Sequence, residues 1–210
     1  MSNSIAFTAS ALTEQQITSE LKFQGNFLRV LRDTVSLPNG NTSTREYVLH
    51  PGAVVIVPLL DDGRVVLERQ YRYPIGKVMI ELPAGKLEQG EDPLLCGLRE
   101  LQEETGYTCS EWACAGHMHL AIAYSTEVIH IFFARGLHLG ERQLDEGEFL
   151  DVFTAPAQQL IDWCLDGTVT DAKTLSCVVH LQNFLLGHRE LAWQSVPRMA
   201  EKPPARPSRS

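Results

Sequence analysis

No uninterrupted apolar run in this 210-residue chain reaches the roughly 18 residues that a membrane-spanning helix needs, so no membrane partner is expected. The opening stretch MSNSIAFTASALTEQQ has neither a basic leader nor an apolar segment of secretory length, so nothing in it suggests export, and a cytoplasmic location is expected. The five cysteines, Cys96, Cys109, Cys114, Cys164 and Cys177, are odd in number and form neither a CxxC pair nor a Cys/His zinc spacing. They are expected as reduced thiols that pack like small hydrophobes. Lysine and arginine number 18 against 26 acidic residues, for a formal charge of −8, and no basic block forms a stripe. A nucleic-acid backbone would be repelled over most of such a surface, which excludes that partner. A small anionic substrate would need local positive charge, from a few arginines or from a bound metal. The chain also lacks a Walker-type phosphate loop and any legible Ser/His/Asp arrangement. His117, His119 and His130 fall in presumed strands at no ligand spacing and read as packing or hydrogen-bonding residues.

Against these absences, 44% of the residues are hydrophobic and 21% charged, proportions of a globular domain large enough to hold a preformed site. Residues 1–17 are polar without clear period, and 191–210 are rich in Pro, Arg and Ser, so both ends are expected to be flexible. Residues 18–50 carry β-favouring runs broken by the turn signal Pro38-Asn39-Gly40, which predicts a small antiparallel sheet. AVVIVPLL and RVVLERQY flank Asp61-Asp62-Gly63 and predict a hairpin. VMIEL, EWACAGHMHL, EVIHIFFA and EFLDVFT add strands. Asp92-Pro93 reads as a helix start and Gly106 as its left-handed stop, with Leu94, Leu98 and Leu101 as the buried stripe. Asp171 starts a second helix, with Leu175, Val178, Leu181 and Leu185 as its packing positions. Strands mixed with helices favour a sheet covered by helices over a bundle.

The stretch GKLEQGEDPLLCGLRELQEETGY carries the chemistry. Glu100, Glu103 and Glu104 stand at i, i+3 and i+4 and share a helical face away from the leucines. Each like-charged pair costs roughly 0.2–0.5 kcal/mol without a cation, which an exposed helix tolerates. Clustered carboxylates are also hard ligands suited to Mg²⁺ or Mn²⁺, and a divalent cation relieves their repulsion. Gly85, Glu91, Arg99-Glu100, Glu103-Glu104 and Gly106, with Leu101 and Tyr107, reproduce the pattern GX5EX7REUXEEXGU, in which U is bulky and apolar or aromatic.

In that pattern the sequence resembles the Nudix hydrolases. LPNG, REYVLHPGAVVIVP, ERQYRYP, IELPAGKLEQGE, LDEGEF and DAKT extend the resemblance to the ADP-ribose pyrophosphatase branch. The resemblance implies an α+β fold, an α/β/α sandwich with a mixed central sheet over residues 51–190, preceded by the small N-terminal β domain. It implies hydrolysis of ADP-ribose or a related nucleoside diphosphate sugar to AMP and ribose 5-phosphate, with Mg²⁺ or Mn²⁺, by a homodimer that exchanges N-terminal β segments. Metal ligation falls to Glu100, Glu103 and Glu104 and to the carbonyl of Ala84, while Arg99 pairs with Glu91. Arg72 is implied as a ligand of the substrate phosphate or terminal ribose. Phe23, Phe27 and Arg45 are implied as a grip on adenine. The general base is a loop glutamate, Glu148 or the nearby Glu146, and Glu127 approaches the metal site. The chain departs from the branch at LAIAYSTEVIH, where a Ser-Pro-Gly stretch is absent and Tyr124 stands near a position used by dinucleoside-polyphosphate hydrolases. Cleavage of dinucleoside polyphosphates or GDP-mannose, or nucleotide sensing without catalysis, are the alternatives.

Overall fold

The computed structural model describes residues 11–144 and 147–196. Its order begins with β1 (Gln15–Gln24), β2 (Arg29–Ser36) and β3 (Thr42–Val48), followed by β4 (Ala53–Pro58), β5 (Arg64–Arg72), β6 (Lys77–Glu81) and β7 (Ala84–Lys86). Helix α1 (Pro93–Thr105) leads into β8 (Tyr107–Met118), β9 (Ile129–Leu139) and β10 (Leu150–Pro156), and α2 (Ala157–Asp166), α3 (Ala172–Leu185) and the short β11 (Gln194–Ser195) complete the chain. β1, β2 and β3 form an antiparallel N-terminal sheet, with Gly40 at a φ of 85° closing the turn expected at Pro38-Asn39-Gly40.

A five-stranded mixed sheet in the order β11-β8-β9-β4-β7 forms the centre, with β4 and β9 parallel. Every residue of β4 is buried, because the strand is covered on both faces. Val55 and Val57 face one core with Ile129, Ile131 and Phe133 of β9, and α2 and α3 cover it through Leu160, Ile161, Cys177 and Leu181. Val54 and Ile56 face the other core, which α1 covers through Cys96, Leu98 and Leu101. Helices on both faces of a mixed sheet make the α/β/α sandwich. A third sheet, β10-β5-β6, packs Val65, Leu67 and Ala155 into the first core.

Helix α1 starts where expected: Asp92 Oδ1 accepts from the Leu94 N–H at 2.8 Å, and Pro93 occupies a first-turn site that needs no donor. Gly106, at a φ of 76°, ends it with its N–H donated to Gln102 O. Gly97 lets the helix approach β8, since a Cβ there would stand 2.8 Å from the Trp112 ring.

Several expectations are corrected. The Asp61-Asp62-Gly63 turn forms, but β4 and β5 enter different sheets and meet only at the Leu59–Val65 bridge, so no paired hairpin results. On α3 Val178 and Leu181 are buried as expected, but their companions on the buried stripe are Thr174 and Cys177, whereas Leu175 and Leu185 are exposed. β1 begins at Gln15, inside the segment expected to be flexible, and β2 supplies its pairing. Leu191 and Trp193 pack against the first core, so the folded chain passes residue 190.

Candidate active site

The acids of α1 do not share one environment. Arg99 Nη1 donates to Glu100 Oε1 at 2.8 Å and to Glu103 Oε2 at 3.0 Å, while its Nε and Nη2 each reach a Glu91 oxygen at 3.0 Å. The guanidinium thus ties the loop carboxylate of Glu91 to the two outer acids of the helix. Glu104 turns inward instead: it is 4% exposed, and its Oε2 accepts from the Ala84 N–H at 3.1 Å. Gly85 is where the backbone passes under Glu100, since a Cβ there would lie 1.9 Å from Glu100 Cδ. That absence of a side chain lets β7 pass against Glu100, next to the Ala84 N–H that holds Glu104.

Beside this helix face, a second network spans β5, β6 and α3. Glu81, only 2% exposed, accepts from Arg72 Nε at 2.7 Å and Nη2 at 2.8 Å, and from Lys173 Nζ at 2.8 Å. Lys173 Nζ also reaches Asp171 Oδ1 at 2.8 Å. Asp171 meanwhile caps α3 by accepting from the Thr174 N–H, and Thr174 Oγ1 accepts from the Leu82 N–H at 3.0 Å. The first turn of α3 is therefore pinned to the end of β6, which delivers Lys173 to Glu81. Directly across the β5–β6 ladder from Glu81 lies Glu68, fully buried.

Arg72, Ala84, Gly85, Glu104, Glu127, Glu148 and Phe27 line one cavity of about 380 Å³, with His50, Lys86 and Lys173. Phe27 is half exposed at its edge, where its ring meets His50 edge-on at 5.6 Å and the Lys86 ammonium lies 4.3 Å from its centre. Glu127 Oε1 stands 3.5 Å from His50 Nε2. The loop carrying Glu127 is fastened to β3 by the Val48 N–H donating to Tyr124 O and the Thr126 N–H donating to Val48 O.

Burial and mutual repulsion raise the proton affinity of the inner acids. Burial lifts Glu104 well above the ordinary carboxylate range, with the charges of Glu68 and Glu100 adding to it. Burial, then Glu81, pushes Glu68 up to about 8. Burial also raises Glu100, against the pull of Arg99. Burial acts on Glu81 too, but the Arg72 hydrogen bond and the charge of Lys173 outweigh it and hold that carboxyl low. Burial outweighs Glu127 in keeping the His50 pKa below its usual value.

Of the residues singled out from sequence, Phe23 and Arg45 do not line the cavity. Phe23 is exposed on β1, and Arg45 on β3 is bonded to Glu14 and to Ser43 Oγ. Glu146 lies outside the described residues. Arg72 reaches the cavity already bound to Glu81. Sequence reasoning passed over Glu68, Glu81, His50 and Lys86, and read DAKT without separating out Lys173. An acid closing the apolar run RVVLER was the available sign for Glu68. Among the described residues no three acidic, histidine or cysteine side chains already form a closed metal cage, since Arg99 holds Glu100 and Glu103. The donors nevertheless suit a hard divalent cation: carboxylate oxygens gathered at a backbone left bare by Gly85, with the buried Glu68 oxygens lacking any donor nearby.

Residues 49–176 match the NUDIX domain, and residues 14–48 match the nucleoside diphosphate sugar hydrolase N-terminal domain. The chain is 39% identical to the methanol dehydrogenase activator of Bacillus methanolicus, over 80% of this chain and 92% of that one. It is 37% identical to the ADP-ribose pyrophosphatase of Bacillus subtilis, over 82% of this chain and 94% of that one. A solved structure described as an ADP compounds hydrolase shares the fold with a TM-score of 0.75 at 22% identity, covering 83% of this chain and 95% of that one.

Proposed function

The chain belongs to the Nudix family and is a Nudix hydrolase, and from that premise we propose that it splits the diphosphate of ADP-ribose, or a closely related ADP-sugar, to AMP and ribose 5-phosphate. The reading is carried by one observation: Arg72, Ala84, Glu104, Glu127 and Glu148 come from distant parts of the chain and line a single cavity. The relative named for ADP-ribose pyrophosphatase activity matches over nearly its whole length, which supports the choice of substrate.

Nudix hydrolases generally use divalent metals, and we assign Mg²⁺, or Mn²⁺ in its place, to Glu100, Glu103, Glu104 and the Ala84 carbonyl. Such a cation supplies neutralisation of the diphosphate charge and acidifies the attacking water. Arg72 and Lys173 stand at the cavity aimed by Glu81, and with Nε and Nη2 of Arg72 on Glu81 its Nη1 is the atom offered to a phosphate oxygen. Glu148 accepts the proton of the attacking water, with Glu146 as the alternative base, and Glu103 orients the water from the helix. As the water oxygen bonds to one phosphorus, the bond from that phosphorus to the bridging oxygen breaks, and the bridging oxygen leaves on the other phosphate. Phe27 at the cavity edge offers a ring for adenine to stack on. Phe23 and Arg45 lie away from this cavity, so their part in gripping adenine requires a second copy of the chain. The wholly exposed β1, with Ile17, Leu21 and Phe23 outward, is the surface for such a homodimer. Five cysteines without a disulfide accord with a reducing, cytoplasmic setting.

The test is a panel of ADP-ribose, GDP-mannose and diadenosine polyphosphates with Mg²⁺, products identified by mass. ADP-ribose is expected to have the highest kcat/KM. Inert ADP-ribose beside rapid cleavage of a dinucleoside polyphosphate would move the assignment to that substrate, and binding without cleavage of any would make the protein a sensor.

A further inference from the structure

Glu68 has no exposed surface, and neither of its carboxylate oxygens has a hydrogen-bond donor. An ionised carboxylate in that setting is unfavourable unless a cation meets it. The nearby cations Arg72 and Lys173 give it no hydrogen bond. Across the ladder, Glu81 has drawn both Arg72 and Lys173 to its own oxygens, and Lys173 is shared again with Asp171. Glu104 accepts from a neutral backbone N–H, whereas Arg99 serves Glu91, Glu100 and Glu103. Glu68 stands opposite Glu81 on the ladder, and Glu104 is bonded to the Ala84 N–H three residues beyond Glu81, so both acids lie at the same end of β6.

A charge count makes the deficit definite. The inner group holds four carboxylates, Glu68, Glu81, Glu104 and Asp171, against two cations, Arg72 and Lys173. Were all four ionised, two negative charges would be left over, the complement of one divalent ion. A hard divalent cation held by one or two carboxylates, and completed by waters and substrate phosphate oxygens, is a usual arrangement for Mg²⁺. Glu104 lines the cavity, so an ion on it would face an entering diphosphate.

We propose that Glu68 is a ligand for a divalent cation that it shares with Glu104, on the β5 side of the helix glutamates. This rests on the metal-dependent reading above and adds to it a residue outside the α1 sequence pattern. The outer acids Glu100 and Glu103, hydrogen-bonded by Arg99, and the inner pair Glu68 and Glu104, which no cationic side chain bonds, then differ in affinity for the metal.

The experiment counts bound Mn²⁺ on the chelator-stripped full chain, following free Mn²⁺ by electron paramagnetic resonance without substrate. Glu68→Gln keeps the shape and removes the charge; it is expected to lose one bound equivalent, or to bind it at least about tenfold more weakly. The rise in melting temperature that Mn²⁺ produces should shrink in parallel. Glu68→Asp, which keeps the charge on a shorter arm, should retain the equivalent with weakened affinity, and it carries the test should the Gln variant fail to fold. An unchanged number and affinity of bound ions in either folded variant overturns the proposal and leaves Glu68 a protonated core acid. Because the count is made without substrate, its outcome is independent of whether the parent protein cleaves ADP-ribose.

Discussion

Replacing Gly85 with alanine should inactivate the enzyme while sparing the fold. Gly85 is not among the glycines with positive φ, so its backbone accepts an alanine. The new Cβ, however, would stand 1.9 Å from Glu100 Cδ, 2.1 Å from its Oε1 and 2.4 Å from its Cγ. Carbon contacts settle near 3.5–4.0 Å, so the carboxyl must retreat by about 1.5–2 Å. That retreat breaks the 2.8 Å bond to Arg99 and takes Glu100 away from Glu103 and Glu104. The stability cost is that of an altered side-chain conformation, about 0.5–1.5 kcal/mol. The functional cost is larger, because a misplacement of about 1 Å at a reacting centre reduces rates on the order of 100-fold. Initial rates of ADP-ribose hydrolysis at saturating Mg²⁺, measured beside a denaturation curve, separate the two. A well-folded Gly85→Ala protein with kcat/KM within about threefold of the parent would refute the placement of Glu100 in the site.

Glu81→Ala strands Arg72 and Lys173 without their common acceptor; removing one partner of a buried ion pair costs about 3–5 kcal/mol, and urea denaturation should show it. Gly97→Ala should destabilise despite a helix propensity gain of about 1 kcal/mol, because overpacking against Trp112 costs about 1–3 kcal/mol; a raised melting temperature would show that the helix moves aside freely. The pH dependence of the metal-free protein should carry the mark of Glu68. Its folded pKa of about 8 exceeds the ordinary 4.5, so the folded state holds the proton more tightly. The penalty is absent below about pH 4.5 and grows to on the order of 3–5 kcal/mol as pH rises to about 8. Glu68→Gln should match the parent at pH 5 in chelator and exceed its stability at pH 8, and parallel stability curves would contradict the assignment.

The parts of the fold legible in sequence are those written in local chemistry. Asp92, Pro93 and Gly106 bound α1 because capping depends on neighbours in the chain, and the pairing of Arg99 with Glu91 was implied by the family resemblance. α2 escaped notice because it begins at Pro156 without a side-chain cap. The start of β1, at Gln15, escaped because its exposed residues carry no one-sided alternation. The Asp61-Asp62-Gly63 turn was visible, but the partners of β4 and β5, from β9 and β10, lie far along the chain. The site divides the same way. The α1 acids share one turn of helix and could be read together, whereas Glu68, Glu81, Glu104 and Lys173 meet only when β5, β6, α1 and α3 pack. The resemblance implied Arg72 as a substrate ligand, yet the carboxylate that aims it, Glu81, lies on the next strand and has no mark in sequence.

Product analysis on chelator-stripped enzyme tests most directly whether gathered carboxylates serve to break a diphosphate. With ADP-ribose present, no cleavage is expected until Mg²⁺ or Mn²⁺ is restored, after which mass spectrometry should find AMP and ribose 5-phosphate in equal amounts. Cleavage undiminished in chelator, or none of any nucleoside diphosphate sugar at saturating metal, would contradict the account.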